Sequence, residues 1–366
     1  MASQLEPGRT LLSSGVTRIR IPITDGSEPE TSGYLLRHAN DSVTIVDPGE
    51  SSSLARGAVD CALTSAGSPA VASIFVTHAH RDHAAGAPAL AHRYDVPVII
   101  HPAESAEIKA SRDDSWRMQR SRKLREWGVP TDQAKAMLGS PHLLPDWQDV
   151  KLLFVTDGEF LPFSNERFQV VGVPGHTAGS LALLAAADSL LLSGDHLLAH
   201  RHVGVGIGAD FGIDPLGDQL ASLERLRNIG PAMIAPGHGR PFIEVEERIA
   251  VERAHLLRRL AEVRSSLDHA PTISLWHRAA TLSWRRPWIE LDSRHREYLR
   301  VWGPALLAFG ASSRCGEAGV MGPPGISIGG HLLPELEEAW QLARDGSARN
   351  DEVSEHVHRV HAPGDR

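Results

Sequence analysis

Ser73-Ile74-Phe75-Val76-Thr77-His78-Ala79-His80-Arg81-Asp82-His83-Ala84-Ala85-Gly86 opens as an apolar run and breaks into three histidines and an aspartate within six residues. The run from Val71 to Val76 is short and rich in β-branched and aromatic residues, which reads as a buried strand. The polar cluster therefore begins where a strand ends, and strand ends are where layered α/β folds bind ligands. His78 and His80 are two apart, so in extended chain their imidazoles leave on the same side and can grip one ion. Asp82 and His83 follow as the chain turns into a helix, and a second ion beside the first is a natural use for them. Imidazole and carboxylate without thiolate suit zinc first, with iron or manganese as alternatives. The competing reading is a turn with solvated histidines, which would give so dense a cluster no structural purpose.

The same grammar recurs along the chain. Asp47 stops the run Val43 to Val46, His176 leaves a Pro174-Gly175 turn after Phe168 to Val173, Asp195 ends Ser189 to Leu192, and His238 follows Pro236-Gly237. Each is weak alone, because histidine and aspartate are common where strands turn. Together with the first cluster they place ligand chemistry at several strand ends of one chain.

The remaining elements follow from periodicity. Val16 to Ile21, Tyr34 to Leu36 and Val43 to Val46 read as an N-terminal antiparallel sheet. Ser51 to Ala66 reads as a helix with serines at its start, His83 to Tyr94 as another, and Val96 to Ile100 as a strand. Residues 104–139 read as a polar helical insertion broken at Gly128-Val129-Pro130; Trp116 and Trp127 are its candidate lid residues facing a substrate, the alternative being ordinary packing of an amphipathic helix pair. Lys151 to Val155 is expected to begin a second sheet with Phe168 to Val173, Leu181 to Leu184 and Ser189 to Leu192. Helices are expected at Leu216 to Asn228, Val245 to Leu267, Ser274 to Ser283 and Ser293 to Leu307.

The whole sequence has 366 residues, 42% hydrophobic and 22% charged, with a net charge of −8. These are globular values and argue against a broad basic surface for nucleic acid. Cys61 and Cys315 are too few for a disulfide framework or a cysteine zinc site. Met1 to Thr10 lacks the apolar core of a secretory signal and no apolar run reaches membrane-spanning length. A cytoplasmic protein is expected, acting on a small molecule without membrane or nucleic-acid partners; the reading allows a homodimer.

With these elements assembled, His-x-His-x-Asp-His followed by a lone His, a Gly-Asp and a Gly-His-Gly resembles the metallo-β-lactamase superfamily, in its hydrolytic, glyoxalase II-like branch. The likeness runs from about Val16 to Ala250. It implies an α/β (α+β) αββα sandwich with metals at one edge. It further implies that His78, His80 and His176 hold one zinc, that Asp82, His83 and His238 hold a second, and that Asp195 bridges both. Asp47 would orient the cluster by hydrogen bonding, and His196, next to Asp195, is either an auxiliary proton donor or a spacer. The expected domains are a catalytic unit over 1–243, a helical and degenerate winged-helix-like extension over 244–345, and a disordered tail over 346–366. The expected reaction is attack of a metal-bridging hydroxide on an ester-type carbonyl, thioester or lactone, with Asp82 taking or relaying the proton. The alternatives are a phosphodiesterase or RNA endonuclease of ribonuclease Z type and a mononuclear-iron persulfide dioxygenase.

Overall fold

Alternation of side chains along the strands sets the layers of this protein. The structure, a computed structural model, describes residues 9–13, 15–24, 28–111, 118, 121–122, 124–126, 128–138, 147–162, 164, 167–206, 215–269 and 273–282. β1 (Arg9–Ser13), β2 (Val16–Pro22), β3 (Glu30–Arg37), β4 (Val43–Val46), β5 (Val71–Phe75), β6 (Val98–Ile100) and β7 (Leu152–Phe154) make a seven-stranded sheet in that order. β8 (Gln169–Gly172), β9 (Leu181–Ala185), β10 (Leu190–Gly194) and β11 (Met233–Pro236) make a four-stranded sheet in the order β11-β10-β9-β8.

Ile45, Ile74, Val98 and Ile100 face outward from the first sheet and pack under α1 (Ser53–Ser65) and α3 (Ala87–Tyr94). Their neighbours Val46, Phe75 and Ile99 face inward and meet Leu183, Leu190 and Leu192 of the second sheet. On that sheet Ala182 and Leu191 face outward, beneath α6 (Pro215–Ile229) and α7 (Val245–His269). Each fully buried side chain of this size contributes roughly 1.5–3 kcal/mol, so the strands are held from both faces. The result is the αββα sandwich that the sequence implies. Ser52 caps α1, its hydroxyl accepting from the Ala55 amide at 3.1 Å.

Two expectations change. Lys151 to Val155 does not open the second sheet: β7 lies at the edge of the first, parallel to β6, with Ile99 opposite Leu153. The helical insertion, α4 (Pro102–Ser111) through α5 (Thr131–Leu138), supplies the crossover that a parallel neighbour requires. His83 to Tyr94 is not one helix but α2 (Arg81–Ala84) and α3, parted at Ala85-Gly86. There the Gly86 amide donates to the Gly49 carbonyl at 2.8 Å, and a Cβ on residue 86 would sit 3.1 Å from two carbonyl oxygens. β1 is an edge strand that the sequence reading passed over, paired antiparallel to β2.

α7 opens the stretch expected to form a C-terminal extension, and it packs on the second sheet through Val245, Ile249, Leu256 and Leu260. Its Glu252, fully buried, accepts from the Val203 amide at 3.1 Å, from His202 Nδ1 at 2.8 Å and from Arg248 at 2.6 Å. α8 (Leu275–Thr281) follows; the rest of the expected extension and the tail, residues 283–366, lie outside the described residues. No helix among the described residues is long and apolar enough to cross a membrane.

β4 ends at Asp47, whose φ of 46° is left-handed. That backbone turns its buried carboxylate across to β5, where it accepts from the Thr77 amide at 2.8 Å and the Thr77 hydroxyl at 2.7 Å. Asparagine tolerates this backbone and alanine does not. Asp47→Asn is therefore expected to destabilise the protein by on the order of 1–3 kcal/mol through unsatisfied donors. Asp47→Ala should cost about 1 kcal/mol more, read by urea unfolding.

Glu252→Ala strands the buried Arg248 and is expected to cost about 3–5 kcal/mol in the same assay at neutral pH. Burial opposes the Glu252 carboxylate, but His202, Arg248 and the Val203 amide outweigh it and hold its pKa below the ordinary glutamate range. A depressed folded-state pKa contributes stability above the unfolded value and loses it as pH falls through the folded one. The gap between wild type and Glu252→Ala should shrink accordingly as the pH is taken into acid.

Candidate metal centre

β4, β5 and β6 run parallel, and in the second sheet β8, β10 and β11 share one direction, since β9 is antiparallel to both β8 and β10. The segments that leave these strands at their C-terminal ends gather at one edge of the sandwich. From β5 come His78, His80, Asp82 and His83; from β8 comes His176; from β10, Asp195; from β11, His238. Three groups of these residues bring one ligand-type atom each to within 4.8 Å of one another: His78 with His80 and His176, His78 with His83 and Asp195, and Asp82 with His83 and His238.

Glycine lets the strands approach this closely. Gly194 has a φ of 51°, and a Cβ there would lie 2.8 Å from the Thr77 hydroxyl. A Cβ on Gly237 would collide with Asp195 and His83. The two sheets are also tied directly beside the site. The Gly237 carbonyl accepts from the Ser32 amide at 2.7 Å and the Thr31 hydroxyl at 3.0 Å, and the Pro236 carbonyl accepts from the Tyr34 hydroxyl at 2.6 Å.

The imidazoles are turned by bonds on the side away from the cluster. His83 Nδ1 donates to Asp47 at 3.0 Å, His176 Nδ1 to the Gly204 carbonyl at 2.7 Å, and His238 Nδ1 to the Glu30 carbonyl at 3.1 Å. Thr77 gives its hydroxyl proton to Asp47, so its oxygen accepts from His78 Nδ1 at 3.0 Å. Four rings thus present Nε2 to the centre, and orienting partners of this kind also fix the tautomer. His80 presents Nδ1, 3.0 Å from His176 Nε2.

His83 Nε2 and His238 Nε2 face each other at 3.3 Å, which two lone pairs do not tolerate unless positive charge lies between them. His78 Nε2 and Asp195 Oδ1 are buried without a hydrogen-bond partner, a costly arrangement in a folded protein. Burial pushes His78 well below the ordinary histidine range, His80 down to about 3 and His176 lower as well, leaving lone pairs free for a cation. Burial would lower His83 and His238 too, but Asp195 and Asp82 outweigh it and raise both. The carboxylates thus draw positive charge to these two rings. Burial likewise opposes the Asp195 carboxylate, yet His238, His83 and His176 keep it well below the usual range. The donor set fits divalent cations, with Asp195 3.5 to 3.8 Å from His83, His176 and His238.

His196 joins none of the three groups. It is buried, neither ring nitrogen has a hydrogen-bond partner, and burial pushes its pKa down to about 3. His101, at the end of β6, accepts from the Ala103 amide at 3.1 Å through Nδ1. Trp116 and Trp127 lie outside the described residues.

One residue of the site was passed over in the sequence. Glu104, in the first turn of α4 and 2% exposed, accepts from the Ala79 amide at 2.7 Å, the Thr177 hydroxyl at 2.7 Å and the Gly179 amide at 2.8 Å. Its only signal was an acid just past the strand-end His101-Pro102, indistinguishable from the many solvated charges of the insertion.

The pattern of the Metallo-beta-lactamase superfamily matches residues 28–238. The probable metallo-hydrolase YqjP of Bacillus subtilis (strain 168) is 26% identical over 272 residues, 71% of this chain and 83% of its own. A hydroxyacylglutathione hydrolase of Hamiltonella defensa subsp. Acyrthosiphon pisum (strain 5AT) is 26% identical over 248 residues, 68% of this chain and 72% of its own. Among solved structures, a beta-lactamase domain protein from Burkholderia ambifaria superimposes with a TM-score of 0.70 at 25% identity, covering 85% of this chain and 91% of that one. A match over most of the sandwich, hydrolase-named relatives and a histidine–aspartate cluster at the sandwich edge agree: the chain belongs to the metallo-beta-lactamase superfamily and is a metal-dependent hydrolase.

Proposed function

We propose that this hydrolase is dinuclear, with zinc as the fitting ion, and that it cleaves an ester-type bond, thioester or lactone, of a small molecule. The observation that carries the reading is the double cluster itself: two groups of imidazole and carboxylate donors with Asp195 between them. His78, His80 and His176 would hold one ion, and Asp82, His83 and His238 the other. Nitrogen and oxygen donors without thiolate suit zinc. Bound there, the two ions would supply Lewis acidity and a water acidic enough to react near neutral pH.

The chain's own residues set the rest. Asp82 is the more open of the two carboxylates, 31% exposed against 11% for Asp195, so it is the one that can meet a reacting water and take its proton. It is held ready as a carboxylate, because His83 and His238 outweigh the burial that would neutralise it. Asp195, enclosed by three imidazoles, is placed to hold both halves together rather than to exchange protons. An acyl substrate is favoured by the relative whose name describes removal of a hydroxyacyl group from glutathione. The net charge of −8 favours a small molecule over nucleic acid.

Elemental mass spectrometry of the purified protein, paired with rates on a generic thioester and a generic lactone, tests the reading. About two zinc ions per chain with turnover of either substrate is the expected result. About one iron without turnover would overturn it. Asp195→Ala should lower metal content and hydrolysis together, the rate by at least about 100-fold, since it removes more than an outer partner of the site. Unchanged stoichiometry and rate would remove Asp195 from the role.

A further inference from the structure

Glu104 holds two chain segments at once, and they are the two that supply the His78, His80 and His176 group. One carboxylate oxygen accepts from the amide of Ala79, the residue between His78 and His80. The other accepts from the hydroxyl of Thr177, the residue after His176, and from the Gly179 amide in the same loop. Thr177 is fixed further by Ser180, whose hydroxyl lies 2.7 Å from its own and accepts from the Thr177 amide at 3.1 Å.

The anchoring complements that of Asp47. Asp47 accepts from the Thr77 amide and Glu104 from the Ala79 amide, so alternate amides of one extended segment are held by different buried carboxylates. Backbone fixed at residues 77 and 79 leaves the side chains of 78 and 80 on one side. Asp47 then reaches His83, in the other half of the cluster, and Glu104 reaches the His176 loop. The loop has been shaped to admit it: a Cβ on Gly179 would stand 2.8 Å from Glu104 Oε1 and 2.9 Å from its Cγ.

We propose that Glu104 is the positioning residue of the His78, His80 and His176 half of the centre, acting on metal retention there and not on the Asp82, His83 and His238 half. This rests on the dinuclear reading above. Glutamine at 104 keeps the shape but offers one acceptor to two segments that both donate, so one of them must let go. Losses from such outer partners run to about 10–100-fold in metal affinity.

The test is chelator competition on the zinc-loaded, full-length protein, counting zinc per chain by elemental mass spectrometry, for wild type, Glu104→Gln and His176→Ala. Glu104→Gln is expected to release one ion about 10–100-fold more readily than wild type. Its remaining ion should be held as tightly as in wild type and as in His176→Ala, which lacks a member of the same half. Wild-type retention of both ions, or equal loss of both, would overturn the proposal. Should Glu104→Gln fail to fold, Thr177→Val removes one donor alone and should shift the same ion in the same direction by a smaller factor; no shift would be equally fatal. A wild-type protein that takes up no divalent ion removes the dinuclear reading and this proposal together. Two ions in wild type with Glu104→Gln unchanged removes this proposal alone.

Discussion

Two imidazole nitrogens 3.3 Å apart, with carboxylate oxygens of Asp82 and Asp195 within 3.0 to 3.5 Å of one of them, cannot be buried in a folded chain without positive charge among them. That constraint governs the surrounding structure. Groups gathered this tightly repel or compete unless each is held from behind, and every imidazole of the cluster except His80 has its outward nitrogen bonded to a named partner. The partners are backbone carbonyls for His176 and His238, a carboxylate for His83, and for His78 a hydroxyl that is itself bonded to that carboxylate. Orientation therefore comes from outside the cluster.

The fold makes such holding inexpensive because the donors leave strands buried on both faces. Val46 and Phe75 lock β4 and β5 into the inner core while Ile45 and Ile74 lock them into the outer one. A strand fixed on both sides delivers its next residues with little freedom, so the entropy of ordering the site is largely spent in forming the sandwich. The sheets meet at the site as well, through the Pro236 and Gly237 carbonyls and the β3 side. Thr31, Ser32 and Tyr34 are buried for this purpose, which explains polar residues inside a strand otherwise committed to the core.

Where the sequence was legible, it was so because local chemistry and global position agreed. His78, His80, Asp82 and His83 announce themselves by density, and His176, Asp195 and His238 by following apolar runs that end in glycine turns. The layer order came from the family resemblance those residues carry, and the runs themselves marked the strands. β7 was misplaced because its sheet is chosen by a distant partner, β6, and no local feature of Leu152–Phe154 names that partner. The break between α2 and α3 was hidden because it arises from contact with the Pro48-Gly49 turn rather than from helix propensity. Glu104 was hidden for a related reason. A buried carboxylate that bonds only to backbone and hydroxyl donors looks, in sequence, like any acid at the start of a helix.

Asp47 and Glu104 show how the division of labour can be read from donors alone. Both are nearly inaccessible to solvent, and the protein groups bonded to them are donors, so they act as fixed acceptors facing backbone as much as side chain. Their positions differ in origin. Asp47 belongs to the end of β4, inside the twice-buried sheet, whereas Glu104 belongs to α4, the helix that begins the insertion before β7. The Asp82, His83 and His238 group is thereby held from the strands of the sandwich, and the His78, His80 and His176 group in part from a helix outside them. On the proposed dinuclear reading, a change in α4 reaches the segments of His80 and His176 through a single carboxylate, while His83 is held from the end of β4 by another.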